Sequence, residues 1–227
     1  MLGFMPLSLR QLFELFVRVL LGLAFAFMAG VYFRNGIAAF RAIDLAVIRP
    51  YQIGHALSII VIGIYAALVA FIYAIRLQPV SRLPGLFPTV AALLGGFLML
   101  ALLFLVPREG LPLWVQILSC ALVLIGNGFA VYILSQLGRS FSILPESRSL
   151  VTKGAYSVVR HPLYLAEAVA ALGVVIIFLS PLACVILVTQ LAAQLVRIHY
   201  EEIILKENFP KYAAYAKRTK RLIPYIY

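Results

Sequence analysis

The chain has 227 residues, 64% of them hydrophobic and only 12% charged, with a mean hydropathy of +1.04. A soluble domain carries roughly one-quarter charged residues, so a free cytosolic enzyme, a disordered chain and a disulfide scaffold are excluded, and an integral membrane protein remains. The 19 Lys and Arg outnumber the 8 Asp and Glu, a net charge of +11 that in so apolar a chain marks cytoplasmic loops and anionic headgroups rather than a nucleic-acid partner.

Six apolar runs approach the roughly 20 residues that a bilayer core requires. They lie near 14–33, 53–75, 86–106, 113–136, 162–179 and 182–200. The predicted fold class is all-α: a membrane bundle of about six spans with a C-terminal interfacial helix. The first run holds an Ala24-Phe25-Ala26 triplet resembling a leader cleavage site, but Arg10, Glu14 and Arg18 are spread along its start and the apolar run continues past it, which predicts a retained first helix. The 34–52 stretch, with Arg34, Arg41 and Arg49, is expected to lie along the interface. Ser180-Pro181 breaks the last two runs into a hairpin of two slightly short spans.

Six spans put both termini on one side. Assigning that side as cytoplasmic gathers 15 of the 19 basic residues there and leaves Arg34, Arg41, Arg49 and Arg108 outside. The expected location is a bacterial inner membrane, with N- and C-termini cytoplasmic. Cys120 and Cys184 sit inside apolar runs and are expected to be buried structural thiols. His55, His161 and His199 are the only histidines, and no Cys/His/Asp cluster has ligand spacing, so no metal site is expected.

The polar residues concentrate in two places, at the ends of spans four to six. The first segment, 137–167, reads LGRSFSILPESRSLVTKGAYSVVRHPLYLAE. Gly154 permits a turn. Pro162 is suited to a first helical position, which puts Arg160 and His161 at the start of span five. Two readings stand for that pair: an anion seat built from helix-end amides and a guanidinium, or an arginine reaching to headgroups beside a capping histidine. Glu167, one to two turns into the span, is an acid where acids are expensive; it is either functional or paired with a basic residue such as Arg139. The second segment, 197–224, places Arg197 and Glu201 four apart on one helix face, with Glu202 pointing elsewhere. Leu205, Phe209, Tyr212 and Tyr215 recur at helical spacing as an apolar stripe, suited to the membrane face or to covering a pocket. Pro210 breaks the helix near Phe209.

The pairing of GAYSVVRHPLY (154–164) with EEIILKENFPKYAAY (201–215) and RLIP (221–224) resembles the isoprenylcysteine carboxyl methyltransferase family, and also the phospholipid N-methyltransferases. The resemblance covers roughly 120–227. The chain departs from the pattern at Ala155, where the family often carries Pro, and at Ala166, where it often carries Gly. The resemblance divides the chain into an unspecific 1–112 and a methyltransferase core, 113–227. It implies S-adenosylmethionine as cofactor and a membrane lipid or isoprenoid acceptor. Gly154, Tyr156, Arg160, His161, Pro162, Leu163, Tyr164 and Glu201 would bind the cofactor, and Arg197 and Glu202 would be catalytic. Arg197 would face the acceptor's head. For an amine or phenol acceptor, Glu202, His199 or water would remove the proton, while a carboxylate or thiolate would need little base.

Two other functions compete. A membrane reductase using NADPH resembles the family around RHPLY, although such sterol reductases are typically longer. A transporter or haem carrier would use His55 and His199 as ligands. Gly95-Gly96 and Gly126-Asn127-Gly128 follow no strand, so no dinucleotide fingerprint is present.

Overall fold

The computed structural model describes residues 9–43, 50–82, 85–144, 146–224 and 226. Among the described residues the chain is an all-α bundle. The helices are α1 (Leu9–Arg41), α2 (Pro50–Ile75), α3 (Leu86–Phe97), α4 (Leu113–Leu137), α5 (Pro162–Ile176), α6 (Pro181–Asn208) and α7 (Tyr212–Arg218). Among the described residues, five helices are long and apolar enough to cross a bilayer: α1, α2, α3 with its continuation to Phe104, α4 and α6. The outward positions of α1 show why. Phe13, Phe16, Leu23 and Phe27 are all exposed, a surface that only lipid can cover.

Three boundaries differ from expectation. The stretch expected as an interfacial loop at 34–52 is largely helix, because α1 runs unbroken to Arg41 and carries Arg34 and Arg41 with it; Arg49 lies outside the described residues. The sixth run is not short. Its helix continues past Tyr200 to Asn208, since charged side chains at 197–207 change what α6 faces without interrupting its backbone ladder. The fifth is shorter than expected: α5 has 15 residues, about 22 Å at the helical rise.

Helix α1 packs on α2, α2 on α4, α4 on α5, and α3 on α6. Small residues set the closest of these contacts, as they do where no hydrophobic force drives membrane helices together. Gly126 of α4 lies against the backbone of α5 at Ala166 and Ala170, and a Cβ there would collide with it. Ser119 Oγ adds a hydrogen bond to the Gly173 carbonyl at 2.7 Å. After Phe97 the third span tightens into a 3₁₀ helix, Leu98–Phe104.

The polar segment between α4 and α5 folds back over the bundle. Its Glu146–Ser147 strand, β2, pairs antiparallel with β1 (Ser81–Arg82), matching Ser81 with Ser147. A buried ionic cluster fixes it. Arg148 Nη2 reaches Glu14 Oε1 of α1 at 2.8 Å and Glu146 at 2.5 Å, and Arg76 Nη2 lies 2.7 Å from the same Glu14 oxygen. The cysteines do not share one environment. Cys120 is half-buried and Cys184 is exposed on α6, so the expectation of a buried thiol fails at Cys184, which faces outward from the bundle. His55 and His199 are also exposed on their helices, on α2 and α6.

Candidate active site

The C-terminal tail is stitched onto the start of α5. Val159 forms a parallel bridge with Lys220. Arg160 N–H donates to the Lys220 carbonyl at 2.7 Å and His161 N–H to that of Arg221 at 2.9 Å. Of the two readings of this helix start, the anion seat loses these two backbone donors, which are spent on the tail. The Arg160 side chain does similar work. Its Nε donates to Glu202 Oε1 at 2.7 Å, and its Nη1 donates to the carbonyls of Ala216 (2.9 Å) and Thr219.

Glu202 is the hub of this arrangement. It also accepts from Arg221 Nε at 2.9 Å, and His161 Nε2 lies 3.3 Å from its Oε1. With both oxygens engaged and no share in the cavity wall, Glu202 is a buttress for Arg160 and the tail.

A cavity of about 390 Å³ opens beside this hub and runs into the bundle, within the range of small-molecule sites. Tyr156, Arg160, His161, Leu163, Tyr164, Arg197 and Glu201 all line it. Gly154 and Pro162 do not, though each shapes it. Gly154 adopts φ +63°, and a side chain there would strike Gln136, whose Oε1 accepts from Ala155 N–H at 2.8 Å. Pro162 is the first residue of α5, as the sequence predicts.

Tyr164 donates to Glu201 Oε1. Arg197 lies beneath that pair. Its guanidinium carbon is 4.9 Å from the centre of the Tyr164 ring, its Nη2 donates to the Ile143 carbonyl at 3.1 Å, and it faces Glu201 at 3.9 Å. Its Nε is buried without a hydrogen-bond partner. Gly95 of α3 makes room for this side chain, since a Cβ there would sit 2.8 Å from Arg197 Cδ. Tyr212 and Tyr215 of α7 are buried at the same end, and with Leu205 they put three of the four residues of the expected apolar stripe in the cavity wall, without Phe209. Burial pushes both phenols, and that of Tyr156, above their usual range, so they remain hydrogen-bond donors.

Beyond Arg197 the wall changes character. Glu167 does not meet Arg139, whose Nε donates to the Ile75 carbonyl. It accepts instead from Tyr65 Oη at 2.8 Å and Gln194 Nε2 at 3.0 Å. Towards the other end of α5, Leu102, Val174 and Phe178 make an apolar continuation, while Phe25, Met28 and Phe97 line the wall nearer the Tyr156 and Leu163 end. Sequence reasoning missed Gln190 and Gln194. Their signal was available, because Gln190, Gln194, Arg197 and Glu201 follow an i, i+4, i+7, i+11 rhythm that puts one polar stripe down an apolar helix. Tyr65 and the α1 aromatics carried no comparable signal.

Residues 114–212 match the phospholipid methyltransferase family. Protein-S-isoprenylcysteine O-methyltransferase B of Arabidopsis thaliana is 28% identical over 122 residues, which is 50% of this chain and 61% of that protein. Over this half, the chain is similar to the isoprenylcysteine methyltransferases. The protein-S-isoprenylcysteine O-methyltransferase of Saccharomyces cerevisiae is 33% identical over 117 residues, 48% of this chain and 49% of its own. The nickel-cobalt-cadmium resistance protein NccN of Alcaligenes xylosoxydans xylosoxydans is 36% identical over 80 residues, 35% of this chain and 38% of its own. The methyltransferase-like half contains both walls of the polar end, α5 with its leading RHPLY segment and α6 with Glu201-Glu202.

Proposed function

We propose that this multi-pass membrane protein transfers a methyl group from S-adenosylmethionine to the polar head of a lipid-like or isoprenoid acceptor, at the cytoplasmic face of a bacterial inner membrane. One observation carries the reading: a single cavity is polar where RHPLY meets the double Glu and apolar where it enters the bundle. A water-soluble, charged donor suits the first end and a hydrocarbon tail the second.

The residues at the polar end fit the donor. Its amino-acid moiety is zwitterionic, and Arg197 and Glu201 offer neighbouring opposite charges one turn apart on α6. The unpartnered Arg197 Nε suits its carboxylate and Glu201 its ammonium. Tyr156, Tyr212 and Tyr215 supply aromatic surface for the adenine, and His161 and Leu163 close the wall. When bound, the cofactor supplies an already activated methyl sulfonium. The chain's own task is then alignment and exclusion of water. Glu202 performs part of that task at a distance, by holding Arg160, His161 and the tail in place.

Calorimetry with S-adenosylhomocysteine tests the reading. Binding is expected for the wild type, with loss in His161→Ala and Glu201→Ala while the bundle stays folded by circular dichroism. Tight NADPH binding in its place would move the protein to the reductases. Labelled S-adenosylmethionine with a membrane lipid extract would then identify the product.

A further inference from the structure

We propose that Glu167 and Gln190 select an acceptor whose head donates hydrogen bonds, an amine or a hydroxyl, against one ending in a carboxylate. The inference rests on the methyltransferase reading for what the acceptor is, but not for what the wall prefers to bind.

Glu167 is held inside the cavity by two neutral donors, the hydroxyl of Tyr65 and the amide of Gln194. A carboxylate offers about four lone-pair sites, so these two bonds leave acceptor capacity on the wall. Gln190 lies one turn deeper on α6. Its Nε2 donates to the Gly95 carbonyl at 3.2 Å, and its Oε1 is buried with no hydrogen-bond partner, in a residue only 4% exposed. Both residues line the cavity. An orphan acceptor in such a place is destabilising unless something donates to it.

An amphiphile whose tail occupies the apolar end among Leu102, Val174 and Phe178 presents its head to this wall. An amine or hydroxyl head donates to Glu167 and Gln190. A carboxylate head brings a like charge beside Glu167 in a medium of low dielectric and leaves Gln190 Oε1 unfilled. Arg197 is the nearby cation that would favour a carboxylate, but it lies about two turns from Gln190 along α6 and already faces Glu201 and the Tyr164 ring.

Three probes share one tail: farnesylamine, farnesol and farnesoic acid. Their affinities for the purified full chain in lipid nanodiscs, with S-adenosylhomocysteine present, form the test. The amine and the alcohol are expected to bind at least tenfold more tightly than the acid. Glu167→Gln is expected to shrink the amine-over-acid ratio about tenfold, with S-adenosylhomocysteine affinity unchanged. Gln190→Leu, which leaves Glu167 in place, is expected to weaken the alcohol several-fold. Equal or tighter binding of the acid, binding of none of the three, or ratios unchanged in both variants would overturn the proposal. Failure of the wild type to bind S-adenosylhomocysteine would instead strike the methyltransferase reading, with the head preference still read from the probes alone.

Discussion

Tyr215 joins α7 to the rest of the site through one hydroxyl, which donates to the Tyr156 carbonyl at 2.5 Å. Burial pushes this phenol up to about 12, with Arg160 pulling modestly the other way. Between its unfolded value near 10 and 12, the docked helix keeps a proton that the undocked one gives up. The stability this contributes is complete below about pH 10 and declines as pH rises through 12. Phenolate absorbance near 295 nm should therefore rise for Tyr215 together with loss of S-adenosylhomocysteine binding, and Tyr215→Phe should remove that coupling. Titration of Tyr215 near 10 with no effect on binding would contradict the assignment. At this scale the charged members of the site were legible. Arg160, His161, Arg197 and Glu201 stand out because charge is expensive in an apolar chain. Tyr65 and Gln190 were not, since a lone tyrosine or amide in such a run is ordinary, and only the fold reveals that Tyr65 meets an acid 102 residues away.

Helix boundaries depend on hydrogen bonding, while sequence spans were drawn from hydropathy. The two agree at Pro162 and Pro181, where Pro begins α5 and α6. They disagree at Tyr200, because hydropathy falls where the helix does not, and at Phe97, where an unbroken apolar run conceals a change from α to 3₁₀ geometry. The register of α4 on α5 depends on Gly126 having no side chain. Gly126→Ala adds a methyl group where the neighbour is backbone, which cannot rotate away. It is expected to destabilise the bundle by about 1–3 kcal/mol despite alanine's better helix propensity. Thermal unfolding in detergent checks this, and a melting temperature at or above wild type would show that α5 can shift without cost. Because α5 carries Tyr164 and Glu167, the same variant should weaken cofactor and acceptor binding together.

The first three spans, which the sequence left without a role, supply much of the apolar wall: Phe25 and Met28 from α1, Tyr65 from α2, and Gly95 and Phe97 from α3. Glu14, Arg76 and Arg148 then tie α1 and the end of α2 to the segment that covers the cavity. Such a buried cluster holds a specific arrangement more than it stabilises, since each charge surrendered its hydration on folding. The site is thus a property of the whole bundle, although its recognisable motifs occupy half of the chain.

The shortness of α5 also concerns the lipid around it. Leu165 and Leu172 face outward on a helix about 22 Å long, whereas an undisturbed hydrocarbon core is about 30 Å thick. A helix this short is met by a thinned bilayer or by flanking side chains that reach to the interface, at a fraction of a kcal/mol per ångström of mismatch. Bilayer thickness is then a variable to which the site is expected to respond. In phosphatidylcholine vesicles of increasing acyl-chain length, from 14 to 22 carbons, S-adenosylhomocysteine affinity and thermal stability should fall with thickness, and equal values across the series would rule the effect out. The thinned annulus would also draw short-chain or single-tailed amphiphiles towards the helix that bears Glu167.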